Sequence, residues 1–208
     1  MTVEIIGCYE ENPLTFVGRC AGVSTDKMDK GDLVKRAKRC FEEGHLSVFE
    51  HLKLTWVVSD VSRALTHQLV RHRHCAFTQE SQRYTEVDTA KQDWYIVPES
   101  ATLTPEQQEQ YEQIMVWAAT GYQHLLDAGI PKEDARMVLP NACKTKIVVS
   151  MNMAEFFHFY RLRNNEGAQW EICYLAQDML KSMFDLSDEW AKLGQLMYEK
   201  IFGPTPQP

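Results

Sequence analysis

The run Leu52-Lys-Leu-Thr-Trp-Val-Val58 constrains this chain more than any other feature. Leu52, Leu54, Trp56 and Val58 fall on one side of an extended backbone, and Ser59-Asp60 follows as a stop. Alternation with a period of two is satisfied by a strand with one buried face. Immediately beyond it the period changes. Ser62 is placed to cap a helix through Ala64, Leu65, Leu69 and Val70 that runs on into Arg71-His72-Arg73.

Helical stripes predominate elsewhere. Leu33, Val34, Ala37, Cys40 and Phe41 recur at helical spacing between Asp32, a cap, and Gly44, a terminator. Thr104-Pro-Glu-Gln107 reads as a capping box with proline in the first turn. The helix that follows carries Tyr111, Ile114, Met115, Ala118, Tyr122 and Leu125 on one stripe and ends at Gly129. A brief helix is expected after Pro131, and longer ones over Ala154–Arg161, Ala168–Phe184 and Asp188–Ile201. Further strands are expected at Asp93–Val97, stopped by Pro98, and at Lys146–Ser150. This order predicts an α/β chain of the α+β type with a minor sheet. Without repeat or linker, residues 1–202 read as one domain, with a flexible tail at 203–208.

Composition narrows the function classes. No apolar run approaches the about 18 residues of a membrane helix, and the first residues lack the basic start and apolar stretch of a signal peptide. A soluble, unexported, cytoplasmic protein is expected. Six cysteines stand singly with no C-x-x-C, so spacing offers neither a zinc knuckle nor a redox pair, and a reducing compartment fits. The ten glycines contain no G-x-G pair, and the phosphate-binding G-x-x-x-x-G-K-[ST] is absent as well. A net charge of -7 argues against general nucleic-acid or membrane-surface binding. One segment runs against that balance: from Arg63 to Arg83 there are four arginines, three histidines and a single acid, Glu80.

Within it, Arg71-His-Arg-His-Cys-Ala-Phe-Thr-Gln-Glu-Ser81-Gln-Arg83-Tyr84 concentrates cations and hydrogen-bonding side chains. Guanidinium forks match phosphate oxygens and Ser81 adds a hydroxyl, so a compact anionic ligand is the direct inference. An exposed basic stretch paired with acids elsewhere is the plainer alternative, and charge pattern alone does not separate the two.

The order of residue types does separate them. Arg71-His-Arg73, then seven residues, then Ser81 resembles the signature of the flavin-dependent thymidylate synthases. The resemblance reaches from near the start to about residue 180. It includes Ser47-Val-Phe-Glu-His51 (with Val48 where the family has Pro), Gln68, Ala135-Arg136-Met-Val-Leu-Pro140, Asn152, Leu162-Arg163 and Ala168-Gln-Trp-Glu-Ile172, in the family's order.

That resemblance implies methylation of dUMP to dTMP, with 5,10-methylenetetrahydrofolate as carbon donor, NADPH as reductant, bound FAD as relay and tetrahydrofolate as product. It implies a central antiparallel sheet flanked by helices, and a homotetramer with active sites shared between subunits. Arg163 would be catalytic, a guanidinium beside the uracil N3 and O2 that stabilises charge developing on the ring. Gln68, Arg71, Gln79, Glu80, Ser81, Gln82, Arg83 and Arg136 would join it in the dUMP site, with Ser81 and Arg83 on the phosphate. FAD would meet His51, Lys53, Arg71, His72, Arg73, Gln79, Asn152, Met153, Ala154 and His158. Lys53 stands where the family often has a small hydroxyl residue, Gln79 where it often has Glu, Thr78 where it often has Asn, and His158 where some members have Asn.

Two rival readings remain. His67, His72, His74 and Cys75 could suggest a metal-dependent hydrolase, yet alternate residues on a helix diverge and flanking arginines repel a divalent ion, so no metal is expected. A nucleic-acid recognition helix would call for a basic domain overall. None of the cysteines sits in the Pro-Cys-His setting of the unrelated thymidylate synthases, and Cys75 is expected to have its pKa lowered by neighbouring cations.

Overall fold

The structure, a computed structural model, describes residues 1–91, 93–98 and 103–203. Apart from Gly203, the tail expected to be flexible lies outside the described residues. In chain order the elements are β1 (Thr2–Cys8), α1 (Pro13–Gly22), α2 (Leu33–Glu42), β2 (Lys53–Ser62), α3 (Arg63–Leu69), β3 (Cys75–Gln79), α4 (Pro105–Asp127), α5 (Lys132–Ala135), β4 (Lys144–Asn152), α6 (Met153–Arg163), α7 (Trp170–Leu186) and α8 (Asp188–Phe202), with short 3-10 turns between some of them.

The four strands form one antiparallel sheet in the order β1-β2-β4-β3. Alternation decides its sidedness. Leu54, Trp56 and Val58 of β2 and Ile147, Val149 and Met151 of β4 are buried on one face. They share a core with Phe156 and Phe159 of α6, Leu175, Met179 and Met183 of α7, and Trp190 of α8. Trp56 stacks on Phe156 at 5.5 Å and donates its indole N–H to Ser182 Oγ at 3.0 Å, so even its polar atom is satisfied. The other face, with Thr55, Val57, Ala76, Thr78, Lys146, Val148 and Ser150, is half-buried or exposed.

The caps form where the sequence places them. Asp32 accepts from the Lys35 N–H at 2.9 Å and Ser62 Oγ from the Leu65 N–H at 3.0 Å; both bonds of the Thr104–Gln107 capping box are made. Gly44 and Gly129 take φ of 81°, the left-handed conformation that ends a helix without Cβ strain.

Three expectations are corrected. Ser59-Asp60 does not end β2: the register slips between Val58 and Val61, with Asp60 left-handed at φ 56°, and the strand resumes to Ser62. Residues 93–97 make only an isolated bridge, Tyr95 with Cys143. Their aromatic residues pack with Met115 in a second small cluster beneath α4, which explains the apolar pattern without a strand. The helix after Ser62 stops at Leu69, so Arg71-His72-Arg73 lies in a turn and the basic segment continues as edge strand β3. Of the α4 stripe only Met115 and Tyr122 are buried, while Ile114 is 51% exposed. Strand β1 and helix α1 carry no expectation from the sequence patterns above.

Candidate active site

The turn after α3 directs His72 inward, where it is only 5% exposed, against one face of α6. Glu155, Phe159 and Arg163 are four residues apart on that helix and share that face. His72 packs edge-on to Phe159 at 5.0 Å. Its Nδ1 lies 3.1 Å from Glu155 Oε1, and its Nε2 accepts from Arg163 Nε at 3.1 Å. The His72 pKa is lowered chiefly by burial; hydrogen bonding and charge from Glu155 oppose this, while the charges of Arg163 and His158 add to it. Burial also lowers the Arg163 pKa. The Asn152 side chain caps the same helix, accepting from the Glu155 N–H at 2.8 Å.

A second cluster forms between the end of β3 and the α5 segment. Arg83 Nε donates to Glu133 Oε2 at 3.0 Å and Arg136 Nε to the Glu133 carbonyl at 3.0 Å. Ser81 Oγ accepts from the Arg83 N–H at 3.3 Å. Gln79 is anchored by Thr66 and Thr145 at 3.1 and 3.2 Å, and Glu80 continues the pairing of β3 through a bond to the Lys146 carbonyl. Arg63 Nη1 and Gln82 Nε2 are buried without a partner. Burial, then repulsion from Arg136, lowers the Arg63 pKa, with Cys143 and Glu80 opposing. Unpartnered buried donors beside a pair of arginines leave this region short of anionic acceptors.

The remaining expected residues divide by what is left free. Arg71 and Arg73 are exposed, and their guanidinium groups have no hydrogen-bond or ion-pair partner among the described residues. His51 and Lys53 are exposed at the start of β2, where Lys53 stands opposite Asn152 across the β2–β4 ladder. Ala154 is half-buried and His158 exposed, its ring centroid 6.1 Å from that of His72. Met153 is fully buried in the core, which leaves its main chain alone to face a ligand. Gln68 is half-buried, with Nε2 at 3.5 Å from Gln169 Oε1.

The structure therefore brings Lys53 beside Asn152 at the β4–α6 junction, sets His72, His158 and Arg163 along α6, and places Arg83 with Arg136 around Glu133. No hydrogen bond or ion pair among the described residues joins the two groups. Glu155 and Glu133 escaped the sequence reading, while Gln169 and Arg63 were named in it without a role. Glu155 could have been found from its spacing of eight to Arg163, once a single helix was assumed to carry both. The expectation for Cys75 is overturned: burial and the charge of Glu155 push its thiol up to about 12. Among the described residues no group of three or more His, Cys, Asp or Glu side chains is arranged to hold a metal ion.

Comparison with known proteins gives the family and the fold. Residues 7–186 match the family described as thymidylate synthase complementing protein. The chain is 37% identical over 200 residues to the flavin-dependent thymidylate synthase of Pyrococcus furiosus, covering 93% of this chain and 81% of that protein. It is 43% identical over 158 residues to the enzyme of the same name from Geobacter sulfurreducens, covering 75% and 67% respectively. The fold resembles that of the UMP/dUMP methylase PolB from Streptomyces cacaoi, solved with 5-Br dUMP, with a TM-score of 0.79 at 23% identity over 99% of this chain and 97% of that one. It also resembles ThyX from Helicobacter pylori, solved with FAD and dUMP, with a TM-score of 0.66 at 19% identity over 88% and 93%.

Proposed function

The chain belongs to the flavin-dependent thymidylate synthase family, and on that premise we propose that it methylates dUMP to dTMP. The carbon comes from 5,10-methylenetetrahydrofolate and the reducing equivalents from NADPH through FAD, with tetrahydrofolate released. The observation that carries this reading is the state of the arginines. Arg71 and Arg73 are unpaired, and Arg163 is held by Nε alone, so the outer edges of these forks are free to meet anions.

Free guanidinium groups suit a diphosphate, and the donor set at the β4–α6 junction fits FAD. Arg71, Arg73, His51, Lys53, Asn152, Ala154 and His158 would hold it, joined by Gln79 and by the main chain of His72 and Met153. When bound, FAD supplies the hydride that completes the methyl group. The dUMP phosphate would exchange for Glu133 on Arg83 and Arg136, beside Ser81 and Gln82. Gln68, Arg71, Gln79 and Glu80 would line the nucleoside. Arg163 would stand at the pyrimidine, where a fixed cation stabilises negative charge on the ring and raises the nucleophilicity of C5.

Residues 1–202 would act as one domain, in a cytoplasmic homotetramer whose sites draw on more than one subunit. Two things support the shared site: the arginine groups are separate within one chain, and Ile114, Val116 and Trp117 of α4 are left 51%, 55% and 65% exposed. The cysteines are all free, as a reducing compartment would keep them, and no helix of the described residues is long and apolar enough to cross a membrane.

Purified protein should be yellow, its flavin band should bleach under anaerobic NADPH, and dTMP should form only when methylenetetrahydrofolate is present. Colourless protein that cannot be loaded with FAD would sink the reading. Arg163→Ala should abolish dTMP formation with FAD still bound.

A further inference from the structure

Among the described residues no carboxylate touches the Arg163 guanidinium; Nε donates instead to His72 Nε2 at 3.1 Å. Arginine stays protonated and offers no acceptor, so His72 Nε2 must present its lone pair. The ring proton then sits on Nδ1, which donates to Glu155 Oε1 at 3.1 Å. We propose that His72 and Glu155 are positioning residues for Arg163: the neutral imidazole fixes the guanidinium by one edge and keeps the Glu155 carboxylate a ring's width away, so that the cation reaches the pyrimidine un-neutralised. The proposal rests on the reading of Arg163 given above and deepens it.

The physical case has three parts. A carboxylate placed directly on Arg163 would orient it equally well but would compete with the charge developing on the substrate, because Coulomb attraction strengthens as separation falls. Imidazole supplies the same hydrogen bond with no net charge. Glu155 is then needed to choose the tautomer. With the proton on Nε2, two N–H groups would face each other and Arg163 would be released. The surroundings favour the neutral ring. Burial is the largest influence, Arg163 and His158 disfavour an imidazolium, and Glu155 alone opposes them. From β3, Cys75 also faces Glu155, and its thiol is pushed up to about 12, so it adds no charge. Both nitrogens of His72 are therefore occupied within the chain, which leaves its side chain no donor or acceptor for the flavin.

The test uses the full chain loaded with FAD. His72→Gln can still offer an oxygen to Arg163 Nε, whereas His72→Leu fills similar space and offers none. Misorientation of a reacting group costs on the order of 100-fold, so His72→Leu should lose about that in kcat, with FAD content and dUMP affinity within about threefold of the parent. His72→Gln should recover at least about tenfold of the loss. In histidine-labelled protein, nitrogen NMR should find the His72 proton on Nδ1, and Glu155→Leu, which removes the acceptor at Oε1, should move it toward Nε2. Unchanged kcat in His72→Leu, equal losses in both variants with FAD released, or a ring protonated on Nε2 would each overturn the proposal. Should His72→Leu fail to fold, Glu155→Leu decides: a kcat loss of about tenfold or more with FAD bound supports positioning, and a smaller loss refutes it. Parent protein that makes no dTMP would defeat the functional reading instead, and the tautomer would then test the positioning by itself.

Discussion

An arginine can steady charge on a substrate only to the extent that its own charge is uncommitted. Arg163 meets that condition through a neutral ring. Arg83 does not: it sits on Glu133 in an ion pair whose side chains are 53% and 49% exposed. A pair so open to water contributes about 0–1 kcal/mol to stability, and a phosphate dianion can displace the carboxylate at little cost. Arg83→Ala should therefore leave the melting temperature nearly unchanged while weakening dUMP binding by about 1–3 kcal/mol, the loss of a hydrogen bond to a charged group. Calorimetric titration with dUMP checks this, and unchanged affinity would remove Arg83 from the phosphate site. The same distinction between buried and open applies to Cys75. Its position among cations in the sequence suggests a lowered pKa, yet its side chain is carried inward, beside Glu155, and stays a thiol.

At the scale of elements, the site depends on two junctions. Strand β4 passes straight into α6, with Asn152 as both last strand residue and cap, so no loop separates the sheet from the helix bearing Glu155 and Arg163. Helix α3 is tied to α7 by Glu171, 2% exposed, which accepts the Ser62 N–H at 2.7 Å and its hydroxyl at 2.5 Å. At the far end of the core, α1 and α2 cross closely at Gly18, where a Cβ would stand 2.0 Å from the Leu33 carbonyl oxygen. Neither backbone can yield that distance without separating the helices. Gly18→Ala should accordingly cost about 1–3 kcal/mol in chemical denaturation, as overpacking of a close contact does, with FAD binding retained in the folded fraction. A stability equal to the parent's would show that the two helices can part freely.

At the scale of the whole molecule, the two arginine groups make a test of assembly possible. If a site takes Arg163 from one chain and Arg83 from another, mixed assemblies of Arg163→Ala and Arg83→Ala chains contain sites with both arginines intact. Co-refolded at equal amounts and assayed at low dUMP, they should recover about one quarter of the parental activity, the share of sites that random pairing restores. Light scattering on the parent should give four times the chain mass. Recovery of nothing from the mixture would place both arginines in one chain's site, and a monomeric mass would end the shared-site reading.

What the amino-acid order determined by itself was local. The caps at Asp32, Ser62 and Thr104, the alternation at Leu54, Trp56 and Val58, and the Arg-His-Arg to Ser spacing depend on residues within a turn or a strand of one another, and short-range geometry suffices to read them. The edge strand β3 was hidden because its five uncharged residues lie inside a segment read as one basic stretch. The strand expected at Asp93–Val97 failed because aromatic burial beneath α4 imitates strand alternation. Tertiary structure alone decided which cations are neutralised. His72 meets Arg163 across 91 residues and Arg83 meets Glu133 across 50. Charge compensation depends on distance in space, which the chain sets only when the sheet brings its segments together.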